Sequence, residues 1–181
     1  KTFISNGINS DAIVTAVRTD PSAGRRGISL MVVERGMPGF DRGRNLEKIG
    51  QHSQDTAELF FNNVEVPASN LLGNEGEGMK YLMRNLAQER LGIAIEAVAV
   101  AKAALYWTLD YVQNRNAFGQ SIASFQNTRF LLAELFTEVQ IGQTYIDQSI
   151  QLHCAQQLDA TQAAVGKYWC TEMQNRVVDK C

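Results

Sequence analysis

The chain has 181 residues, 45% of them hydrophobic and 20% charged, with a formal net charge of −2. This is an ordinary globular composition, with room for one core or for two parts sharing an interface, and it excludes a disordered or fibrous protein. Residues 1–70 hold eight basic and eight acidic side chains and residues 71–181 nine and eleven, so no segment offers a nucleic-acid surface, although adjacent Arg25 and Arg26 can meet a single anionic ligand.

The three cysteines, Cys154, Cys170 and Cys181, are too widely spaced for a metal finger, and reduced structural thiols are expected with no metal site. The longest apolar stretch, Leu91 to Ala101, is broken by Glu96 and is shorter than the ~20 residues a membrane helix needs. A soluble protein in a reducing compartment is expected, without a membrane span. No signal or transit peptide is visible, but Lys1 opens inside a strand-like run and Cys181 closes inside a helix-like one, so both ends read as cuts.

From the first residue, short β-branched or aromatic runs alternate with turn residues. Strands are expected at Thr2–Ser5, Ala12–Arg18, Ile28–Glu34 and Ala57–Phe61, punctuated by Asn6-Gly7, Pro21 to Gly27, Gly36 to Gly43 and Asn62-Asn63. So few strands leave unpaired edges, and a complementary set is expected in a preceding segment. After Pro67 the period changes. Helices are expected from about Gly78 to Gln113, from Ser124 to about Leu158, and from about Thr161 to Lys180, joined by short turns as an antiparallel bundle. The Ala- and Val-rich stretch Ala94 to Ala104 permits close helix approach. The fold class is α+β, with residues 1–69 as the second part of a β domain and 70–181 as an incomplete helical bundle domain.

Four motifs each admit a plain reading and a functional one. Gly73-Asn74-Glu75-Gly76-Glu77-Gly78 lacks the Lys-Ser/Thr of a phosphate loop and reads as a turn and helix start. Glu89, in Ala87-Gln88-Glu89-Arg90-Leu91, is either a solvated helix glutamate or a carboxylate facing an apolar pocket. The latter would have the raised pKa that a base for a weakly acidic carbon needs. Arg115-Asn116-Ala117-Phe118-Gly119-Gln120 and the following Phe125-Gln126 form either a helix end and a packed corner, or an Arg for phosphate beside a Gln amide for a polar edge. Phe3-Ile4-Ser5-Asn6-Gly7 is a strand and hairpin, or an aromatic to lie on a planar cofactor with a hydroxyl to bond its edge.

These motifs occur in one order with Gly27-Ile28-Ser29, Pro38-Gly39-Phe40, Asp55-Thr56-Ala57-Glu58-Leu59, Val66-Pro67 and Asn70-Leu71-Leu72-Gly73. The series resembles the acyl-CoA dehydrogenase family over the whole chain. Asp147 to Gln174, with Leu152-His153, Leu158-Asp159 and Lys167-Tyr168-Trp169, brings it nearest the long-chain branch. The β part then resembles the end of that family's β-barrel-like middle domain.

The resemblance implies FAD as cofactor and oxidation of an acyl-CoA thioester to the trans-2-enoyl product in fatty acid β-oxidation. It implies that Phe3 packs on the flavin, with Ile4 and Ser5 at its reactive edge; Ser5 stands where Thr is commoner. Arg115 and Gln126 match positions that reach the FAD of a neighbouring subunit in a homodimer or homotetramer, and Phe118 and Phe125 beside them count among the cofactor-binding residues. Glu89 matches the catalytic base of the long-chain and isovaleryl branches, and Gln88, Arg90 and Lys80 match substrate contacts. An electron-transfer flavoprotein is the implied electron acceptor, in the cytoplasm of a bacterium or the mitochondrial matrix of a eukaryote. Rival readings are an acyl-CoA oxidase, a flavin monooxygenase of the same architecture, and a non-catalytic assembly subunit.

Overall fold

The computed structural model describes residues 1–181 and divides them into two compact units, Lys1–Leu82 and Met83–Cys181. The first unit contains β1 (Ile4–Ser5), β2 (Ala12–Arg18), β3 (Ile28–Glu34), β4 (Phe40–Asn45) and β5 (Thr56–Phe61). These form two separate antiparallel sheets, one in the order β1-β5-β4 and one of β2 with β3. The β2–β3 ribbon holds an unbroken register from Ala12↔Glu34 to Arg18↔Ile28. Its alternation is the physical reason: Ile13, Thr15 and Val17 turn inward while their neighbours face out. A small core of Val33, Phe40 and Leu59, packed by Ile4, Ile13 and Phe61, fills this unit.

β4 corrects the expectation that Gly36 to Gly43 is all turn. Phe-Asp-Arg-Gly-Arg-Asn has one apolar side chain and therefore no alternation to read. Tertiary partners make it a strand. Phe40 stacks on Phe61 with ring centroids 4.9 Å apart, and Arg42 donates to the carbonyls of Gly7 and Ser10 at 2.8 and 2.6 Å. The turn before it needs Gly39, at φ 80, because a Cβ there would lie 2.1 Å from the Asn62 carbonyl oxygen.

The helices are α1 (Gly78–Asn114), α2 (Gln126–Cys154) and α3 (Ala160–Lys180). In the second unit, Leu91, Ala94, Val98, Ala101 and Leu105 of α1 pack with Leu135, Val139 and Ile146 of α2 and with Cys170, Met173 and Val177 of α3. The expected Ala-rich contact is present: Ala94 and Ala101 are fully buried. By length and composition α1 is apolar enough to cross a membrane, but a core helix passes the same test, and one face of α1 forms the bundle core. α2 ends at Cys154, before the expected Leu158. Gln156 turns left-handed (φ 58), and the N–H of Gln157 donates to the Leu152 carbonyl at 2.8 Å, a C-terminal cap that Ala-Gln-Gln does not advertise. Asp159 then opens α3 through a reciprocal capping box with Gln162.

All three cysteines are free; Cys170 is buried in the core, where burial raises its thiol pKa, while Cys154 and Cys181 are exposed. A structural role therefore fits Cys170 alone.

Candidate functional site

β1 carries Ile4 and Ser5 opposite Ala57 and Thr56. Two left-handed residues bracket it, Phe3 (φ 57) and Asn6 (φ 60). Asn tolerates that conformation through its short side chain, but a bulky aromatic there is strained, and such strain collects at functional sites. The following turn is pinned from a distance. The buried carboxylate of Asp55 accepts from the Ile8 N–H at 2.7 Å and from Asn9 Nδ2 at 2.8 Å, while its carbonyl accepts from the Asn6 N–H at 3.0 Å. The result is a Phe3 side chain 77% exposed beside an exposed Ser5, with Ile4 half-buried.

Also in the first unit, Arg25, Arg26, Glu75, Gly76, Glu77 and Lys80 line a cleft of about 410 Å³ together with Met79. Its floor is built from the glycine-rich turn. The Gly76 N–H donates to Ser29 Oγ at 2.9 Å, and Gly78 sits so close to Ile28 and Ser29 that a Cβ would be 2.8 Å from the Ile28 carbonyl oxygen. Glu77 accepts from Lys80 Nζ at 2.8 Å, Tyr81 Oη at 2.8 Å and Asn74 Nδ2 at 3.2 Å. Those bonds, Lys80 foremost, pull its pKa down to about 2 and keep it ionised. Arg25 and Arg26 are exposed at the end of a 3-10 turn (Pro21–Gly27). The sequence named the two arginines and Lys80 separately; the fold gathers them, and it gives the Gly73–Gly78 turn a place in the wall.

In the second unit, Glu89 lies on the α1 face turned away from the bundle core and is exposed. At 100° per residue its stripe contains Leu86, Ile93, Val100 and Trp107, of which Trp107 is 76% exposed. No hydrogen bond or ion pair engages Glu89. Gln88 and Arg90 diverge from it. Gln88 joins Arg84, His153 and Gln156 around a hollow of about 430 Å³, and Arg90 Nη1 lies 3.4 Å from the Ala160 carbonyl oxygen. Consecutive helix residues cannot share one face, so the three do not form one cluster.

The corner between α1 and α2 does form one. β6 (Asn116–Ala117) and β7 (Gln120–Ser121) make a two-residue hairpin with Phe118 (φ 53) and Gly119 (φ 80) both left-handed, the geometry a primed turn demands. Ser121 Oγ donates to the Val112 carbonyl at 2.8 Å, and the Ile122 N–H to the Arg115 carbonyl at 2.9 Å, which fixes the hairpin on the helix end. Phe118 meets Phe125 edge to face at 6.3 Å and is 96% exposed. Arg115 and Gln126, both exposed, flank that pair in sequence. His, Cys, Asp and Glu side chains form no group of three or more able to hold a metal.

Two small antiparallel sheets followed by long packed helices define an α+β protein with polar and aromatic groups displayed at its turns. The profile described as "Acyl-CoA dehydrogenase, middle domain" matches residues 1–64, and "Acyl-CoA dehydrogenase, C-terminal domain" matches residues 76–181. The chain belongs to the acyl-CoA dehydrogenase family.

It is 44% identical over 183 residues to the long-chain specific acyl-CoA dehydrogenase of rat mitochondria (Rattus norvegicus), an alignment covering 100% of this chain and 43% of that protein. The crystal structure of an acyl-CoA dehydrogenase from Geobacillus kaustophilus superimposes with a TM-score of 0.95 at 52% identity, covering 98% of this chain and 47% of the other. A glutaryl-CoA dehydrogenase of Mycobacterium smegmatis, solved in complex with FADH2, superimposes with a TM-score of 0.91 at 26% identity, covering 100% and 45%. The chain thus spans less than half the length of these relatives.

Proposed function

We propose that the whole protein is an FAD-dependent dehydrogenase that converts an acyl-CoA thioester to its trans-2-enoyl product, with Glu89 as the base and an electron-transfer flavoprotein as electron acceptor. The observation that carries this reading is the setting of Glu89, an unpaired, exposed carboxylate on α1 with Leu86 and Ile93 one turn away on either side. A bound thioester covering that face would exclude water and bring its Cα hydrogen to the unpaired carboxylate. Glu89 takes the proton from Cα while the β-hydrogen departs with its electron pair, leaving the Cα–Cβ double bond. FAD, when bound, supplies the acceptor for that hydride.

Residues suited to hold the cofactor are present in both units. Phe3 and Phe118 are bulky aromatics that are strongly exposed and on left-handed backbone. Ile4 and Ser5 beside Phe3 would border the ring system. Arg115 offers a guanidinium for a diphosphate and Gln126 an amide, with Phe125 packing the corner, toward the cofactor of a neighbouring subunit in a homodimer or homotetramer. The cleft of Arg25, Arg26 and Lys80 suits the phosphates of CoA. Gln88 and Arg90 are assigned to the substrate on resemblance.

The test is the intact protein, wild type and Glu89→Gln, assayed against acyl-CoAs with an artificial electron acceptor. Loss of turnover by at least ~100-fold with retained acyl-CoA binding is expected. A loss of only a few-fold moves the base elsewhere. Reoxidation by an electron-transfer flavoprotein rather than by dioxygen separates the dehydrogenase from an acyl-CoA oxidase.

A further inference from the structure

The Glu89 stripe holds a second carboxylate. Seven residues of helix turn through about 700°, so Glu96 projects within about 20° of Glu89 and about 10.5 Å further along α1. Between Leu86 and Trp107 the positions on this face are otherwise Gly92, Ile93, Val100, Ala103 and Ala104, none of them polar. Glu96 is exposed, and no hydrogen bond or ion pair engages it. One turn away on either side stand Gly92, Ile93, Ala99 and Val100, so α1 supplies no cation to neutralise it. Beside Glu89, Gly92 leaves open space: a Cβ built there meets nothing within 4 Å. Going down the helix, the face thus presents a base, a notch, an apolar patch at Ile93, and then an uncompensated charge.

We infer that Glu96 marks the far limit of the acyl site and selects for short acyl groups. The inference rests on the proposed reading, with the acyl chain running past Glu89 toward the C-terminal half of α1. A thioester seated by Gly92 places the first methylenes on Ile93. A chain ending there leaves the Glu96 carboxylate in water. A longer chain lays its methyl end over an ionised group and strips its hydration with no partner in exchange, which is a net loss. The rat relative at 44% identity is named long-chain specific, so likeness to that relative points the opposite way.

The experiment uses the full-length, FAD-loaded protein as wild type, Glu96→Gln and Glu96→Leu, with butyryl-, octanoyl- and palmitoyl-CoA. It reads kcat/KM with an artificial acceptor and acyl-CoA affinity by calorimetry. Wild type is expected to favour butyryl-CoA, because Glu96 stands only about 6 Å along the helix from Gly92. Glu96→Leu should raise the palmitoyl-to-butyryl ratio of kcat/KM at least ~10-fold, with palmitoyl-CoA affinity rising in parallel. Glu96→Gln, which keeps the size and removes the charge, should move the same way by less. If wild type is active and the ratio changes by less than ~2-fold in both variants, the inference fails while the reading stands. If wild type oxidises none of these thioesters, or Glu89→Gln turns over undiminished, the reading fails and takes the inference with it.

Discussion

Asp55 Oδ2 accepts a 2.7 Å hydrogen bond from the backbone N–H of Ile8, 47 positions earlier in the chain. Together with the 2.8 Å bond from Asn9 Nδ2 it closes the turn after β1 and so holds the strained segment that displays Phe3. Removing a buried, charged acceptor leaves its donors unsatisfied. Asp55→Ala should therefore lose roughly 2–3 kcal/mol of unfolding free energy in urea, and Asp55→Asn less. An unchanged urea midpoint would contradict this account of the turn.

Glu77 offers a pH test. Its pKa is depressed to about 2 from an ordinary 4.5 by bonds from Lys80, Tyr81 and Asn74. A depressed acid stabilises the folded form fully above its unfolded value, and that contribution fades as pH falls through the folded one. The start of α1 should thus stay intact down to pH 4.5 and loosen between there and about 2. An NMR titration of the Glu77 carboxyl should show a midpoint near 2, and a midpoint at the ordinary value would remove the basis of the prediction.

Gly142 of α2 lies where three helices meet. A Cβ there would stand 3.1 Å from Met173 Cε and 3.3 Å from both Trp169 and Val98 side-chain atoms. Gly142→Val should lower stability by roughly 1–3 kcal/mol despite the better helix propensity of Val, because the packed core has to open. Thermal unfolding measures it, and a raised Tm would show that the site yields more easily than its distances imply.

At the start of α3, Asp159 Oδ1 accepts from the Gln162 N–H at 2.7 Å. Asp159→Ala should lose about 1 kcal/mol, and Asp159→Ser should recover most of it. Equal stability of the Ala and Ser variants by denaturant titration would discount the cap.

If Arg25 and Arg26 hold phosphates of CoA, they bind ground state and transition state alike. Their double Ala variant should raise KM for acyl-CoA by about tenfold or more with kcat nearly unchanged. The wild-type KM should also rise with salt more steeply than that of the variant. A fall in kcat at constant KM would assign the pair another role.

The sequence alone determined the change from short strands to long helices, because β2 alternates, β3 is a short apolar run rich in β-branched residues, and α1 carries apolar residues at helical spacing. The ordered series of motifs likewise fixed the family without reference to space. Tertiary structure decided what periodicity does not encode. β4 is a strand only because β5, Phe61 and two carbonyls hold it there, and α2 stops where a left-handed Gln156 caps it. Arg25 and Lys80 meet around one cleft through backbone packing between the 3-10 turn and the Gly73–Gly78 loop. Helix geometry splits Gln88, Glu89 and Arg90 onto different faces, although they are adjacent in the chain. Periodicity is a local property that a linear sequence displays, whereas a pairing between distant residues depends on the whole chain closing on itself.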